Sequence, residues 1–251
     1  MRQYVLPKYF HGEEILKLNK EDSLYFIKVL RLKINDKIFA RDLDGNPYQI
    51  SIKEVNKNTC ICNVKKLNEG DSFISTDALP KEKKEYPKIH LFQCVCKGKK
   101  NETIIRMATE LGVSSISLVQ SQYCIAKKDK SNTQRYEKII KEAIQQSGSS
   151  IITKFNNILS FNDFINSLSF PLFFFHQQDI DNRSLKDKLK NLKTDSELGI
   201  LIGPEGGLSD QECKILIEKG CIPVTLKTNI LRAETASIVA LSSIHTLLME
   251  R

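Results

Sequence analysis

A chain of 251 residues, 27% charged and 41% hydrophobic, is long enough to bury a core without disulfides or metal and has the balance of an ordinary globular protein. Its longest apolar run, Phe170 to Phe175, falls far short of the roughly 20 residues a membrane span needs. No apolar leader follows Met1, so a cytoplasmic protein is expected. The formal net charge is +8, and residues 1–70 hold 13 Lys and Arg against 9 Asp and Glu, a surplus that suits a polyanion such as nucleic acid without requiring one.

Residues 1–70 read as strands with one short helix. Apolar residues at 24, 26, 27, 29 and 30 place that helix over 21–32, with some spillover from one face. Strands follow at 37–40, 48–52 and 59–64, the first two joined by an Asp44-Gly45-Asn46 turn. A small β-barrel is the economical architecture. A linker is expected over about 69–88, where Gly70, Pro80, Pro87 and the run Lys81–Glu85 interrupt the pattern. The chain thus divides into domains at 1–72 and 73–251.

From Ile89 onward strands and helices alternate: a strand at 89–96, a helix at 100–111, a strand at 113–119, a helix at 133–146, and strands at 171–176 and 198–202. Ser209-Asp210-Gln211-Glu212 is a capping box opening a helix that runs to Gly220. A strand over 221–226 and a last helix from Glu234 complete the chain, with Ala236, Val239, Ala240, Ile244, Leu247 and Leu248 on one face. This alternation predicts an α/β domain with a mostly parallel sheet flanked by helices.

Seven cysteines form two C-x-C pairs, 60/62 and 94/96, each with both thiols on one strand face. The spacing does not suit structural zinc, so reduced buried thiols and no metal are expected. Neither a G-x-G-x-x-G nor a P-loop motif is present, nor H-E-x-x-H or G-x-S-x-G.

Two segments carry the chemistry. Ile202-Gly203-Pro204-Glu205-Gly206-Gly207 lies between a buried strand and a capped helix, and its glycines allow backbone to approach a ligand. Leu226-Lys227-Thr228-Asn229-Ile230-Leu231-Arg232-Ala233-Glu234-Thr235 likewise follows a strand and enters a helix. Both lie at the carboxyl ends of strands, where ligands of open α/β sheets bind.

These two segments, in this order and separation, resemble the RsmE family of 16S ribosomal RNA uridine-N3 methyltransferases, of the SPOUT superfamily. Val29-Leu30-Arg31-Leu32 is similar to the signature of the family's PUA-like barrel, Thr109-Glu110-Leu111-Gly112-Val113 to the opening of its catalytic domain, and His176 to a histidine ending a central strand. The resemblance implies S-adenosylmethionine (SAM) as cofactor, a homodimer, a C-terminal trefoil knot, and small-subunit rRNA or the assembled subunit as partner. It assigns SAM to His176, Ile202, Gly203, Pro204, Glu205, Gly206, Gly207, Leu226, Lys227, Asn229, Ile230 and Leu231. Adenine is expected to meet mainly backbone groups. The chain departs from the family pattern at Lys227, where relatives usually carry glycine, and at Asn229, Tyr123, Gln145, Ser149 and Tyr25.

For such a reaction the harder task is making N3, a weakly acidic imide, nucleophilic. Arg232 is the candidate to stabilise the uracil anion; being always protonated it is not the base, a role left open between Glu234 and Glu205. Lys28, Arg31, Lys33 and Lys37 are the candidate phosphate contacts on RNA. Two rivals are a SPOUT enzyme acting on another RNA such as tRNA, and an RNA-binding protein whose catalytic domain has decayed.

Overall fold

The computed structural model describes residues 3–68, 87–126, 132–178, 180–190, 192 and 197–249. Most of the expected linker and the run Lys127–Lys130 lie outside them. The backbone divides into two compact units, residues 1–82 with 144–152, and residues 83–143 with 153–251.

In the first unit, β1 (Tyr4–Val5), β2 (Ile15–Lys17), β3 (Lys37–Arg41), β4 (Pro47–Asn56) and β5 (Thr59–Lys66) form one sheet in the order β1-β3-β4-β5-β2. Alternation puts Ile50, Ile52, Cys60, Cys62 and Val64 on the inner face against Tyr4, Leu16 and Phe26. The Cys60 and Cys62 sulfurs stand 3.7 Å apart on that face. The β3–β4 turn is organised by Asp42, whose carboxylate accepts from the backbone of Asp44 and Asn46 and from the Asn46 side chain, while Gly45 supplies a φ of +83°.

The single expected helix of this unit is shorter and changes type. Asn19 caps α1 (Lys20–Leu24), and residues Tyr25–Val29 continue as a π-turn in which Leu30 N–H bonds back to Tyr25 O. The widened turn breaks the 3.6-residue period, which is why the apolar positions spill over one face and Val29 ends 64% exposed. Arg31 then stops the helix at φ +55°.

Residues 144–152 belong to this unit. Gln3 Nε2 donates to Ile144 O and Ser149 O, and Gln145 Oε1 accepts from Val5 N–H. Gln145, a departure from the family pattern, therefore holds backbone here with its side chain, and Ser149, another, does so with its hydroxyl, which donates to Ile151 O and accepts from Ile151 N–H.

The second unit is a six-stranded, all-parallel sheet. Its elements are β6 (Lys88–Cys94), α2 (Lys100–Glu110), β7 (Ser115–Gln120), α3 (Thr133–Ser147), β8 (Lys154–Ser160), α4 (Phe161–Asn166), β9 (Leu172–Phe175), α5 (Leu185–Leu189), β10 (Glu197–Ile202), α6 (Asp210–Glu218), β11 (Ile222–Val224) and α7 (Ala233–Met249). The strand order is β11-β9-β10-β6-β7-β8. The central strands are apolar on both faces, as in β9 and β10, because helices cover both sides. Sequence reading misses β8, α4 and α5. β8 is an edge strand with only Ile158 fully buried, and the two helices are a turn or so long, marked only by Ser160 and Ser184 accepting from Asp163 and Asp187 N–H.

Along α7, Ala233, Ser237, Ala240, Leu241, Ile244 and Leu248 face the core. Ala236, Val239, Ser243 and Leu247 form a second, half-buried stripe. Ala240, on the apolar face expected of this helix, is wholly interior and so unavailable to a second copy. Among the described residues no helix is long and apolar enough to cross a membrane.

Candidate active site

From β6 the chain proceeds to β7 and β8 on one side, then returns to build β9, β10 and β11 on the other. The reversal makes the carboxyl ends of β6 and β10 a topological switch point, the place where ligands of open α/β sheets bind. Register makes the loops meet there. Ile202 pairs with Gln93 and with Phe175, and Phe175 pairs with Val224. His176, Gly203 and Thr225 therefore leave the sheet at one level. His176 N–H donates to Val224 O, and its Nδ1 accepts from Gln178 N–H, leaving the ring proton on Nε2 in the neutral form.

The glycine loop is shaped from within. A Cβ on Gly203 would stand 3.1 Å from the Gly207 backbone, and one on Gly206 would stand 3.1 Å from Tyr123 Cβ. The close approach at Gly206 is thus to Tyr123. Gly207 closes the turn onto Pro204 O at 2.9 Å with φ +74°, and nothing lies within 4 Å of where its Cβ would be. That open face of bare backbone fits a ligand read by N–H and C=O groups. Behind it, buried Gln93 bridges three elements: Nε2 donates to Cys94 O and reaches Gly203 O at 3.4 Å, while Oε1 accepts from Ser237 on α7.

The second loop is exposed at Lys227, Asn229 and Ile230 and half-buried at Leu226 and Leu231. Thr228 N–H turns back to Leu226 O at 2.8 Å. Lys227 lies at the centre of this turn and is not among the residues with positive φ. The turn needs no glycine, and Lys227 sits there unstrained. Lys188, whose side chain is 2% exposed, holds the neighbouring loops: its ammonium donates to Asp181 O and Pro223 O.

The three candidate catalytic residues divide unevenly. Lys100 Nζ sits 2.8 Å from Glu205 Oε1 and 4.0 Å from Glu234 Oε2. Burial pushes the Glu205 carboxyl up, but the Lys100 ammonium and backbone N–H groups including Lys97 outweigh it, holding the group below the usual range. Glu234 Oε2 is buried without a hydrogen-bond donor. Arg232 is exposed at the start of α7 and pairs with neither glutamate. Lys100, Gln93, Ser237 and Lys188 escape sequence reading; the one local signal was a lone polar residue, Gln93, inside a buried apolar strand.

In the first unit Lys28, Arg31, Lys33 and Lys37 are all exposed, interleaved with exposed Val29 and Ile34.

The family profile described as RNA methyltransferase domain matches residues 82–245, and that described as RNA methyltransferase PUA domain matches residues 18–65. The ribosomal RNA small subunit methyltransferase E 2 of Borreliella burgdorferi is 30% identical over 99% of this chain and 98% of its own length. The chain belongs to the RsmE family. Another RsmE relative, the ribosomal RNA small subunit methyltransferase E of Bacillus subtilis, is 27% identical over 89% of this chain and 87% of its own length. The RsmE fold is also that of two solved structures: a Legionella pneumophila methyltransferase in complex with SAM (TM-score 0.82, 24% identity, 98% of this chain, 97% of the other), and the Neisseria gonorrhoeae ribosomal RNA small subunit methyltransferase E bound to SAM (TM-score 0.80, 22% identity, 98% of both chains).

Proposed function

We propose that the protein is a SAM-dependent methyltransferase acting on N3 of a uridine in 16S rRNA. The observation that carries this reading is the pair of glutamates engaged by one lysine, Lys100, on the two loops that the sequence singled out, with the exposed guanidinium of Arg232, two residues before Glu234, in no ion pair among the described residues. SAM would supply an electrophilic methyl group. His176, the open backbone at Gly203–Gly207 and the turn Leu226–Leu231 would hold it, mainly by backbone groups.

The remaining chemistry falls to the chain. The N3 proton passes to a carboxylate, directly or through water, and the electron pair spreads onto the uracil carbonyl oxygens. A planar guanidinium at Arg232 stabilises that charge and, being permanently protonated, does not act as base. Of the two carboxylates, Glu205 is the poorer acceptor, since Lys100 already holds it below the usual range; Glu234 is the better candidate. N3 lies on the Watson–Crick edge, so the target uridine is unpaired or flipped out.

The same proposal assigns RNA binding to Lys28, Arg31, Lys33 and Lys37 in an N-terminal domain ending near residue 72, a homodimer built on the half-buried stripe of α7, a C-terminal trefoil knot, and a cytoplasmic location. The test is nucleoside mass spectrometry on small-subunit rRNA after gene disruption, with purified protein and SAM restoring the mark. Loss of 3-methyluridine from 16S rRNA supports the proposal, and loss from tRNA alone overturns its substrate. Calorimetry showing no SAM binding would overturn its cofactor.

A further inference from the structure

Helix α2 begins against local preference. Lys100 occupies its first turn, where the helix dipole disfavours a cation, and the preceding Lys99 makes no side-chain cap. Asn101, buried, instead pins the approach by bonding both the N–H and the C=O of Cys96. Glu205 arrives from the loop after β10 to accept from Lys97 N–H and the Lys100 ammonium. A local rule broken in this way points to a role outside the helix.

Facing Lys100 are Glu205, Glu234 from α7, and the Cys96 thiol two residues beyond β6. Burial and then the Glu205 charge push that thiol up to about 12, so it stays neutral. Lys100 is thus the cation shared by both carboxylates. Glu234 Oε2 is buried without a hydrogen bond, and the Lys100 ammonium stands 4.0 Å from it. Arg232 lies two residues before Glu234 in the chain, and in Lys100→Met it would be a cation open to recruitment by carboxylates that had lost their partner.

We propose that Lys100 is a positioning residue of the methyl-transfer site: by engaging Glu205 and Glu234 together it fixes both carboxylates in place and keeps Arg232 free to face the substrate. This rests on the function proposed above.

The test uses the full-length protein with Lys100→Met and Lys100→Arg. In Lys100→Met, single-turnover methyl transfer at saturating SAM and RNA should fall about 10–100-fold. The acidic limb of its pH–rate profile should move to higher pH, while calorimetric SAM affinity stays as in the wild type. Lys100→Arg should recover most of the rate. Independently of activity, carbon-detected NMR titration should show the Glu205 carboxyl rising toward the ordinary carboxylate range in Lys100→Met. A wild-type rate and pH profile in Lys100→Met would overturn the proposal, as would SAM affinity falling in step with rate, or an unmoved Glu205 titration. If the wild-type protein methylates no rRNA, the function itself has failed, and the NMR titration still decides whether Lys100 holds Glu205.

Discussion

Ser237, in the second turn of α7, donates its hydroxyl to Gln93 Oε1 on β6, and both residues are fully buried. Through this bond the last helix reaches the glycine loop, because the other end of the same amide lies 3.4 Å from Gly203 O. Ser237→Ala strands a buried acceptor, a loss of about 1–3 kcal/mol. Urea unfolding should register that loss, and calorimetry a weaker affinity for SAM. Unchanged stability would mean the amide had found another donor.

Arg232 supplies the sharpest kinetic expectation. Arg232→Ala should lower the single-turnover rate about 10²–10³-fold, the usual effect of losing one preorganised donor to a developing anion, with SAM affinity nearly unchanged. Arg232→Lys should recover only part of the rate, because an ammonium does not span two acceptors. With no ion pair to lose among the described residues, Arg232→Ala should not alter thermal stability; a large fall in Tm would assign the residue to the loop's structure.

Arg31 sets stability against function. Its φ of +55° is a conformation in which an L side chain costs about 1–2 kcal/mol. Arg31→Gly should therefore stabilise the first unit in denaturant by about that much. If Arg31 contacts a phosphate, the same variant should bind rRNA more weakly, and the slope of log affinity against log salt should flatten by about 0.7–0.9. A variant gaining stability with unchanged RNA affinity would remove Arg31 from the interface.

The half-buried stripe Ala236, Val239, Ser243 and Leu247 on α7 is the candidate dimer face. A stable pair buries at least about 1,200 Å², so light scattering should show a dimer at micromolar concentration. Leu247→Glu, placed away from the cofactor loops, should shift it toward monomer while circular dichroism stays the same. A wild-type monomer at that concentration would eliminate the dimer.

Gly207 tests the loop backbone. At φ +74° an alanine is strained although space is open, so Gly207→Ala should cost about 1–2 kcal/mol. It should also reduce SAM affinity, because the added methyl occupies the open face. Gly206→Val, by contrast, should act through its clash with Tyr123.

What the sequence determined by itself is local. Buried parallel strands read as unbroken apolar runs, as at Leu172–Phe175 and Leu198–Ile202, and caps such as Ser209 with Glu212 are written within four residues. The α/β alternation, the two candidate ligand loops and the family resemblance all followed from such short stretches. Elements of only two to seven residues, β1, β2, β8, α4 and α5, are too short to show a period. Only the tertiary structure decided which groups share a site. Phe175, Ile202 and Val224 come level because β9 is paired between β10 and β11, and a slip of one residue would turn every side chain to the other face. The choice of Lys100 as the carboxylates' cation, joining residues 105 positions apart, depends on how α2 and the loop after β10 meet at the sheet edge, which no local pattern encodes.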